Sequence, residues 1–435
     1  MTPAPPLRYF GALAGLDAPT RSALLDRTTS IDRDVRERTA AILADVRAHG
    51  DRALRELALR FDHVDLERFE VPRARWKAAL DTLRPDLRRG MERSVANIAS
   101  VHRAFLPSAA ETSPEPGIVV GRRPDPLARV GVYAPGGRAA YPSSVLMGVV
   151  PARVAGVGEI TVASPPGHSG LPSAVVLAAA ELADADRVFA LGGAGAVAAL
   201  AFGTETVPRV DRIVGPGNAF VAEAKLQVSG LVSIDSPAGP SELLVIADGA
   251  ASAETVAREL LAQAEHDPRA CVVAVVEGAS MAAQVRAAVA RLLSSCERRE
   301  IVEAALAGQG AVLWVDTVRE AVEWSNAYAP EHLLVCTADP ATWLPGLRNV
   351  GTVFLGERAS VSFGDYMTGA NHVLPTGGLA RCYSGLSTLD FFRWTTYQRV
   401  DAAAASRLAS DVDVFASAEG LPGHAMAARA WAGTR

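Results

Sequence analysis

Cysteine is scarce in this chain, and no spacing puts it to use. Cys271, Cys296, Cys336 and Cys382 are the only four among 435 residues, and no two form a C-x-x-C pair. That argues against a disulfide framework and against a cysteine-held zinc finger, and suits buried, reduced thiols in the cytoplasm. Any metal must then be held by histidine, carboxylate or amide groups. No run approaches the roughly 18 apolar residues that a membrane span requires, so no integral membrane protein is expected. The opening Met1-Thr-Pro-Ala-Pro-Pro-Leu-Arg8 lacks a charged segment followed by an apolar one, so no secretory signal is expected. An excess of one charge is lacking too. With 43 basic and 48 acidic residues the formal charge is −5, which argues against nucleic acid as the main partner.

What is present is the composition of a globular protein, 49% hydrophobic and 21% charged. The length exceeds one ordinary compact core and predicts two α/β domains with extensions. Residues 1–128 read as a helical N-terminal region. Within it Val35, Ile42, Leu43 and Val46 form a stripe that ends at Gly50, a C-cap candidate, and Asp51 is placed to cap the next helix. Pro107 to Gly117, rich in Ser, Pro and Glu, reads as a linker. From Arg129 short apolar runs alternate with helical stretches, which means βαβ units and a parallel sheet. One series of strands spans 129–238 and a second 239–380, joined near Ser236-Pro-Ala-Gly-Pro-Ser241. The reading is α/β, two Rossmann-like domains with incomplete, doubly wound parallel sheets. A helical, Ala-rich tail, 381–435, follows.

Ligands of open parallel sheets bind outside the carboxyl ends of the strands. Four turns are placed there: Tyr133-Ala-Pro-Gly-Gly137, Gly192-Gly-Ala-Gly195, Gly215-Pro-Gly-Asn218 and Pro237-Ala-Gly-Pro-Ser241. Gly193-Ala-Gly195-Ala-Val-Ala198 also matches the dinucleotide fingerprint G-x-G-x-x-A. Its acidic partner would be Asp211, which precedes its strand rather than ending it.

Three polar centres stand out. Gln263-Ala-Glu-His266-Asp-Pro268 closes an amphipathic helix that begins near Ala253. Three residues apart, Gln263 and His266 would share a helical face, with Pro268 as the stop. Tyr328-Ala-Pro-Glu331-His332 places a carboxylate beside an imidazole at a strand entrance, two proton acceptors whose pKa values the environment can separate. The polar stretch from Phe363 to Gly378 carries Asp365, Asn371 and His372 and reads as a functional loop. With His424 near the C-terminus, Gln263, His266 and Asp365 make a nitrogen and oxygen set suited to zinc or a similar divalent ion. An amide oxygen is a weak zinc ligand, so such a site would be chelator-sensitive.

These motifs, taken in order, resemble the histidinol dehydrogenase family. The resemblance rests on Gln263-Ala-Glu-His266-Asp267, Ala329-Pro-Glu-His-Leu333, Gly364-Asp-Tyr366, Asn371-His-Val-Leu-Pro375 and Gly215-Pro-Gly-Asn218. Asp45-Val-Arg-Ala-His-Gly50-Asp51 and Arg60-Phe-Asp62 extend it to the N-terminal region. It implies an NAD-dependent, zinc-dependent, four-electron oxidation of L-histidinol to L-histidine through the bound aldehyde, the last step of histidine biosynthesis. Gln263, His266, Asp365 and His424 would hold Zn(2+), with His424 reaching the site of the other subunit of a homodimer. His332 would act as base on the alcohol and Glu331 would activate water for the aldehyde step. Ser241, Glu419 and His372 would touch substrate alongside the metal-binding residues and His332. Tyr133, Asn218 and Gly195 match positions facing NAD. Two departures stand out: the family has glutamine where this chain has Gly195, and Ser360-Val-Ser-Phe363 replaces the Pro-Glu common before Gly-Asp-Tyr. They leave open a same-fold dehydrogenase of another small polar alcohol. A zinc hydrolase using Glu331 and His332 is a third reading.

Overall fold

The computed structural model describes residues 5–27, 33–136, 140–237 and 239–433. Gly137, Ala238 and the first four residues, which belong to segments discussed above, lie outside the described residues. The chain opens with β1 (Tyr9–Ala12) and four helices, α1 (Ala18–Leu25), α2 (Arg33–Leu57), α3 (Arg73–Asp81) and α4 (Pro85–Ala104). After β2 (Ala110–Thr112) and β3 (Ile118–Pro126), alternation begins: β4 (Arg129–Tyr133), α5 (Pro142–Ala155), β5 (Glu159–Ser164), α6 (Ala174–Leu182) and β6 (Arg187–Ala190). It continues with α7 (Gly193–Phe202), β7 (Arg212–Val214), α8 (Ala219–Val228) and β8 (Ser233–Ile234). The second series comprises β9 (Glu242–Ala247), α9 (Ala253–Ala264), β10 (Cys271–Glu277), α10 (Ala279–Leu293), α11 (Arg299–Gln309) and β11 (Gly310–Val315). It closes with α12 (Val318–Tyr328), β12 (His332–Cys336), β13 (Thr352–Leu355) and α13 (Val361–Tyr366). β14 (Phe392–Val400), α14 (Ala402–Ala418) and α15 (Pro422–Arg429) end the chain.

Both large sheets are parallel and share one winding. The first runs β6-β5-β4-β7-β8 and the second β1-β11-β10-β9-β12-β13. Each begins in its middle, grows outward three strands and then reverses, the doubly wound order with a switch point beside its first strand. In β9 and β10 successive residues face opposite sides. Leu243, Val245, Val272 and Ala274 enter one core, and Leu244, Ile246, Val273 and Val275 the other. Helices α2, α3 and α4 pack on the first sheet, where Val46, Leu54, Trp76 and Ile98 join its core.

Several local expectations are corrected. β1 pairs with β11, from Tyr9 opposite Ala311 to Ala12 opposite Trp314, so the N-terminal region is not wholly helical. The expected linker contains β2, which pairs antiparallel with β3. The expected helical tail opens with β14, which pairs with β3 along nine residues from Phe392 to Val400. Trp394, Thr395, Thr396, Tyr397 and Val400 favour a strand because branched and aromatic side chains suit a pleated surface. Gly50 does break α2, at φ 52°. Asp51 does not cap the following turn. Its carboxylate accepts from the Thr206 hydroxyl at 3.1 Å, and its N–H donates to Glu205 at 2.8 Å.

Candidate active site

The switch point of the second sheet lies between β9 and β12, where His332 stands opposite Leu243. Ser241 and Glu242 open β9, and Glu331 and His332 open β12. These groups therefore sit at the amino ends of their strands, not at the carboxyl ends where such sheets usually bind ligands. The chain reaches this point through a tight turn. α12 ends with Ala329 in the left-handed region at φ 54°, and Pro330 follows. Gly351 passes so close beneath that a Cβ there would lie 2.5 Å from the Glu331 carbonyl oxygen.

Glu331 and His332 are both buried, at 5% and 4% exposure. Glu331 Oε2 accepts from the Glu242 N–H at 2.7 Å, and the Glu242 carboxylate accepts in return from the Glu331 N–H at 3.3 Å. His332 Nδ1 lies 2.9 Å from the Glu242 carbonyl oxygen and 3.4 Å from Glu331 Oε2. A carbonyl can only accept, so Nδ1 carries a proton in either charge state and Nε2 is the nitrogen that gains or loses one. Nε2 is buried without a hydrogen-bond partner among the described residues and faces Asp365 Oδ1 at 3.8 Å. Burial pulls the His332 pKa down, but the Glu331 carboxylate and Asp365 outweigh it and raise it to about 9. Burial pushes Glu242 up to about 7 against the pull of Arg27.

The opposite wall is built by α9 and α13. Glu259 on α9 accepts from the Val361 N–H at 3.1 Å, capping the start of α13. Near their far ends, Glu265 and Asp365 both help burial to raise the Tyr366 phenol. Gln263 lies in the last turn of α9 and Asp365 in that of α13, and the Glu259 bond ties the two helices together. Gly364 lies flat against the Phe354 ring, where a Cβ would meet Cε1 at 2.5 Å, and Phe354 in turn packs 6.0 Å from the His332 ring. His372 Nδ1 lies 3.0 Å from the Asp365 carbonyl oxygen. Burial holds the His372 pKa down.

Gln263 and His266 do not share a helical face. α9 ends at Ala264 with Glu265 as its C-cap, and His266 follows in a bend, its N–H on the Gln263 carbonyl at 3.3 Å. Gln263 is buried and its amide makes no hydrogen bond among the described residues; His266 is exposed. Among the described residues no three His, Cys, Asp or Glu side chains of one chain form a metal-holding group. The expected set draws only two such side chains from this half, His266 and Asp365, plus an amide. Glu419 and His424 are exposed on the α14–α15 tail and make no side-chain hydrogen bond or ion pair with this cleft. What the structure offers an ion is therefore a half-buried carboxylate, an unpartnered amide and an exposed imidazole. Those donors fit a borderline ion that needs a further ligand from outside the chain.

The first sheet supplies the facing wall. Asn371 Nδ2 donates to the Met147 carbonyl at 2.7 Å, tying the polar loop to α5. Tyr133 ends β4, and its hydroxyl accepts from the Gly193 N–H at 3.1 Å. Gly215, at φ 115°, ends β7 so close to the Tyr133 carbonyl that any side chain would collide with it. Asn218 caps α8, accepting from Phe220 and Val221. Beneath this turn Lys225 donates to the Gly215 carbonyl at 3.0 Å and pairs with buried Asp235, which accepts from the Gly215 N–H at 2.7 Å.

Two sequence readings change here. The G-x-G-x-x-A string opens α7 after the third strand in the winding, not the first. Asp211 sits at the amino end of β7, accepting from the Arg129 N–H at 2.9 Å, so the fingerprint reading is wrong. Gly195 is buried in α7 and faces α2, with its would-be Cβ 3.0 Å from Leu57 Cδ1. The position that departs from the family pattern is thus filled by packing from α2.

Sequence reasoning missed Glu242 and Arg27. Glu242 had a signal, a carboxylate heading the fully buried strand Glu242–Ala247. Arg27 had none. It reaches the site from 301 residues away, donating to the Tyr328 carbonyl at 2.6 Å.

The histidinol dehydrogenase family model matches residues 25–431. The histidinol dehydrogenase of Methanothermobacter thermautotrophicus is 46% identical over 404 residues, covering 93% of this chain and 95% of that one. That of Halobacterium salinarum is 48% identical over 417 residues, with 96% and 97% covered. The crystal structure of histidinol dehydrogenase from Elizabethkingia anophelis superposes with a TM-score of 0.93 at 31% identity, over 98% of both chains. On its sequence, its fold and the cleft between its two sheets, the chain belongs to the histidinol dehydrogenase family of oxidoreductases.

Proposed function

We propose that this enzyme oxidises L-histidinol to L-histidine through the bound aldehyde, with NAD as hydride acceptor. The observation that carries the reading is the buried His332. Its Nδ1 is committed to the Glu242 carbonyl, while Nε2 is orphaned and aimed across the cleft toward Asp365. In its deprotonated form that nitrogen would take the alcohol proton as the carbinol hydrogen leaves as hydride. Glu331, whose carboxylate is fixed by the Glu242 N–H, is placed to take a proton from water as it adds to the aldehyde. A second hydride transfer then leaves the carboxylate product. Ser241, next to Glu242, and His372, bonded to the Asp365 carbonyl, would orient the substrate.

Gln263, His266 and Asp365 would hold Zn(2+) with His424 from a second copy of the chain, and Glu419 would touch substrate. Bound zinc would polarise and orient the substrate's imidazole and amino groups without redox change. Tyr133 and the Gly215–Asn218 turn would receive the nicotinamide cofactor at the switch point of the first sheet. A homodimer is supported by the tail. Val414, Phe415 and Met426 are 65–70% exposed on α14 and α15, an apolar patch beside His424 that a second copy would cover. No helix among the described residues is long and apolar enough to cross a membrane, and the reduced thiols suit the cytoplasm.

The test is spectrophotometric. Purified enzyme with histidinol and NAD should release two NADH for each histidine formed, and chelator should abolish release. Failure to form NADH from histidinol, with NADH from another small alcohol, would replace the substrate. Product formation without NAD would replace the chemistry.

A further inference from the structure

Glu242 stands outside the expected sets of catalytic, metal-binding and substrate-binding residues, yet its N–H, its carbonyl and one carboxylate oxygen are all engaged with Glu331 and His332. Its N–H holds the Glu331 carboxylate at 2.7 Å, and its carbonyl holds His332 Nδ1 at 2.9 Å. One carboxylate oxygen accepts from the Glu331 N–H at 3.3 Å and the other from the Gly377 N–H at 2.8 Å. Gly377 belongs to the loop that also carries His372. One residue thus ties β9, β12 and the polar loop together at the switch point.

A carboxylate so deeply buried beside a second one, Glu331, needs a cation, because the two negative charges repel and neither is solvated. Arg27 supplies it. Its side chain and that of Glu242 are each 2% exposed, with Nε 3.4 Å from Glu242 Oε1. The guanidinium stacks 3.3 Å over the Tyr328 ring and donates to the Tyr328 and Ala329 carbonyls at 2.6 and 3.4 Å. Those carbonyls flank the left-handed turn that delivers Glu331 and His332. Arg27 reaches them because β1 and α1 dock on the second domain, with Arg21 of α1 lying over Trp324 of α12.

We propose that Glu242, anchored by Arg27, is a positioning residue that holds Glu331 and His332 in the arrangement the reaction requires. This rests on the reading of those two residues given above. The network does not touch substrate; it acts through the pair. Glu242→Gln keeps the size and both backbone bonds but replaces one accepting oxygen with an NH2 group. That group must then face the N–H of either Glu331 or Gly377, two donors with no acceptor between them.

The experiment measures kcat, histidinol KM, zinc content and melting temperature for the full-length enzyme. It compares Glu242→Gln, Arg27→Met, Arg27→Lys and the double variant Arg27→Met/Glu242→Gln with Glu331→Gln and His332→Asn. Glu242→Gln and Arg27→Met are expected to lower kcat by roughly 10- to 100-fold, as loss of an orienting partner does, with KM and zinc content near wild type. Arg27→Lys should recover much of that loss. The double variant should exceed Arg27→Met alone, because it leaves no uncompensated buried charge. A kcat unchanged in Glu242→Gln overturns the proposal, and so does a loss that falls equally on kcat, KM and zinc content. Should Glu242→Gln not fold, Arg27→Met and Arg27→Lys decide in its place: a loss in the first restored by the second supports positioning, and an unchanged kcat in the first overturns it. Full activity in Glu331→Gln and His332→Asn would instead sink the reading of the catalytic pair itself, a failure distinguishable from failure of Glu242 alone.

Discussion

His332 Nδ1 and the Glu242 carbonyl oxygen are 2.9 Å apart, and this one bond selects the nitrogen that faces the cleft. A histidine in the other tautomer would set its lone pair against that carbonyl and turn a proton toward the substrate. His332→Asn keeps a polar group of similar reach but supplies no base. General bases contribute about 10²- to 10⁴-fold, so kcat for NADH formation from histidinol should fall by that order while the melting temperature holds. A variant within threefold of wild type would remove His332 from the mechanism.

Glu331 is expected to matter unequally to the two oxidations. Glu331→Gln retains an oxygen to accept the Glu242 N–H, so the turn should survive. It cannot take a proton from water. Single-turnover rates should therefore drop more with histidinaldehyde than with histidinol as the starting substrate. Equal losses on both would argue that Glu331 only shapes the site.

His266 is exposed and its side chain has no partner among the described residues, so its replacement should cost little stability. His266→Asn should lose zinc and activity together, measured by metal analysis and NADH formation on the same sample. An active variant without zinc would refute the assignment of Gln263, His266, Asp365 and His424 as ligands.

How much of this was legible in the sequence follows from where the information resides. Period-two and period-3.6 apolar patterns are local, so the alternation of strands and helices from Arg129 onward, and the helix beginning near Ala253, could be read. β1 and β14 could not. Tyr9–Ala12 is four residues long and becomes a strand only because β11 offers it an edge, and β14 is defined by its partner β3. Within the site, Glu331, His332 and Asp365 were legible because each sits in a polar, Gly- or Pro-bearing stretch beside an apolar run. Arg27 was not, because its meaning lies in a partner 301 residues away. Gly195 was legible as a departure but not in its consequence, since only the packing of Leu57 shows what fills the space.

The buried pair Lys225 and Asp235 is expected to hold the Gly215–Asn218 turn, the proposed cofactor contact, in place. Lys225 is 1% exposed and holds the Gly215 carbonyl while Asp235 holds the Gly215 N–H. Lys225→Met leaves a carboxylate buried without its cation, which costs about 3–5 kcal/mol. The denaturation midpoint should fall accordingly, and NAD affinity, measured by titration, should weaken as the Gly215–Asn218 turn loosens. Lys225→Met/Asp235→Asn should regain part of the stability. A single variant as stable as wild type would mean the turn is held by packing alone.

His102 gives the clearest dependence on pH away from the cleft. It is 1% exposed on α4, its Nδ1 accepts from the Thr388 N–H at 3.2 Å, and its Nε2 has no partner. Burial lowers its pKa from 6.5 to about 4. Between those values the unfolded chain binds a proton that the folded protein refuses, so stability is lost as pH falls from about 6.5 toward 4. The difference corresponds to about 3 kcal/mol at the acid end. His102→Gln offers an oxygen to the same amide and cannot titrate. Chemical denaturation at pH 7 and pH 4.5 should show a smaller loss in this variant than in the wild type, and an identical loss would place the acid sensitivity on other groups.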